Sequence, residues 1–174
     1  SYAKERGKPL RILDVGCGVG IDADYVVSEG FEVIGVDLSK EMLKLAKQKF
    51  PKIDFRQRDI RELDFPHASF DGILASCSLI HISKKDVPAL LNKFYYMLKE
   101  NGVIYIALQE GKSEEIFVNE PFKSDEKLFL NIISFDEIKS LLVNAKFSVV
   151  KKYKRQPKSK KEFNFTKLFV IAKK

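Results

Sequence analysis

The stretch Arg11-Ile12-Leu13-Asp14-Val15-Gly16-Cys17-Gly18-Val19-Gly20 decides how this chain folds. An apolar run carrying one carboxylate, Asp14, breaks into a loop with glycine at every second position. A strand that ends where side chains vanish lets a ligand lie directly against the backbone. A second apolar run, Phe31 to Val36, ends in Asp37, seventeen residues after Gly20. Strand, glycine turn, helix, then a strand closing on a carboxylate is the layout of a nucleoside site, with the carboxylate on the ribose hydroxyls.

Outward from that stretch, strand and helix patterns alternate. Further strand-like runs fall at 53–57, 70–76, 102–108, 146–152 and 166–172. Asp22 is the expected cap of the first helix. Ser39 can cap a helix whose apolar face holds Met42, Leu43, Leu45, Ala46 and Phe50. Ser83 with Asp86, and Ser134 with Glu137, read as capping boxes for two more. Asn101-Gly102 supplies the turn into the fifth strand. The early strands are continuous apolar runs, as in a parallel sheet covered on both faces. The last two runs have no helix between them and should pair as an antiparallel hairpin at a sheet edge. Five βα units closed by a hairpin are expected.

Composition sets the outer bounds. At 174 residues and 45% hydrophobic content, one domain with a full core is expected. No window approaches about 18 uninterrupted apolar residues, so no membrane-spanning helix is expected. The opening Ser-Tyr-Ala-Lys-Glu-Arg-Gly-Lys lacks the apolar stretch of a signal peptide. Cys17 and Cys77 have no metal-ligand spacing and read as free thiols of a reducing cytoplasm. The charge is uneven: residues 151–161 hold seven basic residues and no acidic one. Outside that segment the remaining 24 Lys and Arg balance the 24 Asp and Glu, so the formal +7 resides there. Such a segment either attracts nucleic acid or forms a solvated hairpin loop.

With these residues in order, the chain resembles the class I S-adenosylmethionine-dependent methyltransferases, most closely their small-molecule branch, over nearly all of its length. Asp14-Val-Gly16-Cys17-Gly18-Val-Gly20 matches the family's first motif. The resemblance implies a doubly wound, mostly parallel seven-stranded α/β sheet of order 3-2-1-4-5-7-6, the last strand antiparallel, in one Rossmann-like domain over residues 1–174. It also implies S-adenosylmethionine as cofactor, S-adenosylhomocysteine as product, and no metal. Gly16, Cys17 and Gly18 would then wrap the methionine part, Asp14 would help hold its ammonium group, and Asp37 would take both ribose hydroxyls. Leu38 and Met42 would flank the adenine, Asp59 and Ile60 would meet its edge, and Ala75 and Ser76 would contact the methionine amino end. Only residues 1–10 precede the first strand, whereas many small-molecule members begin with helices that close over the site. Such a lid is therefore absent, trimmed away, or supplied by a partner.

The residues discriminate among chemistries independently. A sulfonium cofactor needs acceptors, whereas a dinucleotide site aims a helix N-terminus at a pyrophosphate. The dinucleotide fingerprint needs a small residue at position 21; Ile21 stands there, followed by the acids Asp22 and Asp24. No Pro-Cys pair accompanies Cys77, and Ala75-Ser-Cys-Ser-Leu79 is unlike the Asn-Pro-Pro-Tyr motif used on exocyclic amines of bases. His81, just past the fourth strand, is the candidate proton acceptor for an attacking hydroxyl or amine, or simply packs beside the cofactor. Glu110 is placed on the substrate side, within a selecting segment at 109–133. The expected function is methyl transfer to a small molecule, with a nucleic-acid methyltransferase using 151–161, or a cofactor-binding protein without catalysis, as the alternatives.

Overall fold

A computed structural model describes residues 8–120, 123–158 and 162–174. The chain runs β1 (Arg11–Val15), α1 (Ile21–Ser28), β2 (Glu32–Asp37), α2 (Lys40–Lys49) and β3 (Asp54–Gln57), and then a 3₁₀ turn (Ile60–Glu62) leads into β4 (Phe70–Ser76). A second 3₁₀ turn (Leu79–His81) precedes α3 (Val87–Met97), β5 (Leu98–Glu110), β6 (Glu114–Glu120), β7 (Lys123–Ile132), α4 (Phe135–Asn144), β8 (Ser148–Arg155) and β9 (Thr166–Lys173). Seven strands form one sheet in the order β3-β2-β1-β4-β5-β9-β8. β1 to β5 run parallel, and β9 is antiparallel to both of its neighbours. Counted along the chain without β6 and β7, this is the 3-2-1-4-5-7-6 order expected from the sequence.

Strand periodicity places the two cores on opposite faces. Ile34 and Val36 of β2 join Leu13 and Val15 of β1 in a cluster that includes Leu90, Leu91 and Phe94 of α3 and Ile138 and Leu142 of α4. Val33 turns the other way, to Ala23 of α1 and Leu43 and Ala46 of α2, with Ile12 packed alongside. Asp14 shares its strand face with Ile12, not with Leu13, because successive side chains alternate. The acid therefore points to the α1 side of the sheet.

Helix starts follow the sequence in part. Ser39 and Ser134 accept from the backbone N–H of Met42 and Glu137, both at 3.2 Å. Asp22 does not cap α1; Gly20 does, in the left-handed region at φ +82°, and Asp22 sits in the first turn. A Cβ on Gly20 would meet the Phe55 ring at 2.6 Å, so the tight entry to α1 depends on glycine. The Ser83 hydroxyl bonds the Asp86 carboxylate at 2.8 Å, and α3 begins after Asp86 without a side-chain cap.

Three further elements depart from the expectation. The β3–β4 connection holds a single 3₁₀ turn where a helix was expected, its first residue capped by Asp59. β5 begins earlier than expected, at Leu98, which pairs with Phe70 before the register shifts around Asn101, at φ +65°. Within the selecting segment, Glu114–Glu120 and Lys123–Ile132 form a second sheet, the two-stranded β6–β7 ribbon. The basic run also begins inside a strand, since Lys151 to Arg155 belong to the edge strand β8, while residues 159–161 of that run lie outside the described residues.

Candidate active site

The carboxyl ends of β1, β2 and β4 open into a cavity of about 860 Å³, within the ~300–1,000 Å³ typical of small-molecule sites. Its floor is the loop after β1. Gly16 and Cys17 both donate N–H bonds to the Val36 carbonyl, at 2.8 and 3.0 Å, which folds the loop back over β2. Gly16 adopts φ +73°, and a Cβ there would lie 2.5 Å from the Ser78 side chain. A Cβ on Gly18 would meet nothing within 4 Å, so bare main chain faces open space.

Two carboxylates organise this floor. Asp37 accepts from the backbone N–H of Gly18 at 2.8 Å through one oxygen and from Ser39 at 2.9 Å through the other. It thereby ties the glycine loop to the start of α2 while lining the cavity. Asp14 lies beneath, 1% exposed, and its Oδ2 has no hydrogen-bond partner. Burial, with smaller contributions from Asp22 and Asp37, pushes its carboxyl up to about 8. An isolated buried carboxylate among other acids is a strong acceptor for a cation and a poor neighbour for a diphosphate.

The far wall of the cavity is more exposed and more apolar. Leu38 and Met42 line it while 61% and 44% exposed, a solvated hydrophobic surface suited to a planar ligand. Ile60 and Asp59 line it too. Asp59 is gripped by Arg61, whose Nε lies 3.0 and 3.1 Å from the two carboxylate oxygens, and that bonding holds its carboxyl below the usual range. His81 completes the β4 side: its Nδ1 lies 3.1 Å from the Phe129 carbonyl of β7. A carbonyl oxygen only accepts, so Nδ1 carries the hydrogen, and in the neutral ring that leaves the lone pair on Nε2.

Five of the residues expected at the site lie outside the lining, Asp14 among them because it is buried within β1. Cys17 is 8% exposed and turns into the α1–α2 core beside Phe55, where burial pushes its thiol up. Ala75 is fully buried inside β4, and Ser76 sits one residue short of the opening; Cys77 and Ser78 line it instead. Cys77 sits at φ +57°, so the chain turns sharply as the strand ends. Glu110 pairs with Lys154 at 2.8 Å, on the β8–β9 side. Conversely, the cavity takes in Ser39, Lys40, Glu41, Arg61, Ile82 and Leu128, which the sequence did not single out. Ser39, Glu41, Arg61 and Ile82 adjoin expected residues and Lys40 lies between Leu38 and Met42, but Leu128 arrives through the unforeseen ribbon. Among the described residues, no three or more His, Cys, Asp or Glu cluster as a metal site would need, and no helix is long and apolar enough to cross a membrane.

Comparison with known proteins places this geometry. The profile of a family described as a methyltransferase domain matches residues 12–102, more than half of the chain. A Bacillus subtilis (strain 168) protein named as a methyltransferase, YqeM, is 32% identical over 123 residues, 67% of this chain and 50% of that protein. A ubiquinone biosynthesis O-methyltransferase of Rhodopseudomonas palustris (strain BisB5) is 34% identical over 102 residues, 56% of this chain and 39% of its own. The chain thus spans half or less of these curated relatives. Among solved structures, a methyltransferase from Methanosarcina mazei superposes with TM-score 0.86 at 18% identity, covering 95% of this chain and 92% of that one. A Burkholderia thailandensis 1,6-didemethyltoxoflavin-N1-methyltransferase superposes at 0.76 with 24% identity, covering 98% and 73%. Matched by family profile, relatives and fold, the chain belongs to the class I S-adenosylmethionine-dependent methyltransferases.

Proposed function

We propose that this chain binds S-adenosylmethionine in the cavity above the glycine loop and transfers its methyl group to a small-molecule acceptor. The observation that carries this is the unpartnered, buried Asp14 Oδ2 under bare glycine backbone, beside Asp37 at the end of the next strand. Asp14 would answer the ammonium, Gly16 and Gly18 would give backbone contact, Asp37 would receive the ribose hydroxyls, and Leu38, Met42, Asp59 and Ile60 would surround the base. The solved toxoflavin-pathway neighbour holds S-adenosylhomocysteine together with its acceptor, which supports a cavity shared by both. The relatives include O-methyltransferases and phosphoethanolamine N-methyltransferases, so their names support a small acceptor without fixing its atom.

The bound cofactor supplies a methyl already activated by its positive sulfur. The protein's contribution is alignment and proton handling. As the acceptor's lone pair forms the new bond to the methyl carbon, the carbon–sulfur pair returns to sulfur and leaves a thioether. The proton freed from an O–H or N–H acceptor goes to His81 Nε2, whose tautomer the Phe129 carbonyl fixes.

Incubation with methyl-labelled cofactor and fractionated cell extract tests this reading. Label should appear in a small-metabolite fraction. Label in RNA would favour the basic 151–161 segment as a binding element, although Lys154 and Arg155 are already paired with Glu110 and Glu162. Cofactor binding without transfer to any fraction would leave a binding protein.

A further inference from the structure

We infer that the acceptor is an uncharged, apolar-bodied molecule bearing an O–H or N–H, and that Leu128 of β7 selects it. This rests on the cavity being the methyl-transfer site. Beyond the part assigned to the cofactor, the wall at the β4 end is made by Cys77, Ser78, His81, Ile82 and Leu128, with the Ser78 hydroxyl unpartnered. Leu128 shares the inward face of β7 with Leu130 and Ile132, both fully buried, so the ribbon turns an aliphatic side toward the site. Three contacts hold the ribbon to the segment after β4. The Phe129 carbonyl meets His81, the Asn131 amide donates to the Ile82 carbonyl at 3.0 Å, and the Lys84 N–H donates to Glu115 at 2.7 Å. Leu128 and His81 thereby line the same cavity.

Charge argues against an anionic acceptor. Among the described lining residues the cations are Lys40 and Arg61, both at the nucleoside end, and Arg61 is committed to Asp59. Arg155 and Lys167, whose charges act on Cys77, both face Glu162, at 2.9 and 3.8 Å. A phosphate or carboxylate at the β4 end would find no lysine or arginine in the lining there, and would meet the aliphatic side chains of Ile82 and Leu128. A cationic acceptor would meet the positive sulfur of the donor and lack the lone pair needed for attack. A neutral nucleophile on an apolar body satisfies both conditions.

Calorimetric titration of the full chain loaded with S-adenosylhomocysteine tests the assignment, at pH 8, with 2-naphthol, 6-aminoquinoline and phosphoethanolamine as ligands. At least one of the two neutral aromatics should bind, and phosphoethanolamine should not. Leu128→Ala should weaken the aromatic about tenfold or more, and Leu128→Met should restore most of that affinity. Binding of phosphoethanolamine, failure of both aromatics, or indifference to both Leu128 substitutions would overturn the inference. If S-adenosylhomocysteine itself does not bind the wild-type chain, the fault lies earlier, with the methyltransferase reading of the cavity.

Discussion

At the scale of single residues, Asp14 and Asp37 differ in how their charge is satisfied. Asp37 already accepts two backbone N–H bonds, so it is ready as a carboxylate to receive two hydroxyls. Asp37→Ala should lower affinity for S-adenosylhomocysteine about a hundredfold, since bonds to a charged group are worth ~1.5–3 kcal/mol each. Thermal shift at saturating ligand would show it as lost stabilisation. Asp14 is the opposite case, a carboxyl that burial keeps protonated up to about 8. The folded chain then holds a proton that the unfolded chain releases above the ordinary carboxyl value of 3.8, so this group costs stability as pH rises from there toward 8. Asp14→Asn should remove that slope and raise the Tm of the ligand-free protein at pH 8 by about 5 °C, at ~2–4 °C per kcal/mol. The difference between the two melting curves across pH 4 to 9 checks it. These acids were legible because a strand that ends in a carboxylate exposes it at the sheet edge. Cys17, Ala75 and Ser76 were not, because which way a side chain points depends on a register and a loop turn that one sequence does not display.

At the scale of elements, the β6–β7 ribbon is what the sequence hid. Its period-two signal is present, in Ile116 and Val118 and again in Leu128, Leu130 and Ile132, but Glu114, Glu115 and Lys127 surround it with charge. The ribbon holds to the body through Leu130 and Ile132 in the main core and through the buried Asn131 amide. Asn131→Ala should cost about 1–3 kcal/mol by leaving the Ile82 carbonyl unpaired. Hydrogen exchange should then quicken in β6 and β7 more than in β1 or β4. Uniform loss of protection would mean that the ribbon and the main sheet open as one unit. The missing helix between β3 and β4 has a local reason: Asp59 caps a turn that closes within three residues, and Pro66 follows shortly.

At the scale of the whole molecule, alternation of apolar runs with capped helices was enough to order seven strands, because parallel strands need crossovers and crossovers leave caps. Charge was less informative. The basic run lies partly on the edge strand β8, where lysines discourage edge-to-edge pairing as well as attract anions. Lys151→Gln with Lys158→Gln, both exposed, should leave methyl transfer unchanged in the label assay. Loss of transfer would instead give that segment a part in the reaction.

A positive ligand answering a buried acid is the claim on which the rest stands, and proton bookkeeping during binding reads it directly. S-adenosylmethionine titrated calorimetrically at pH 7, in two buffers of different ionisation enthalpy, should bind with release of close to one proton from Asp14. The Asp14→Asn chain should release none. Absence of binding, or binding by the wild-type chain with no proton released, would contradict the account.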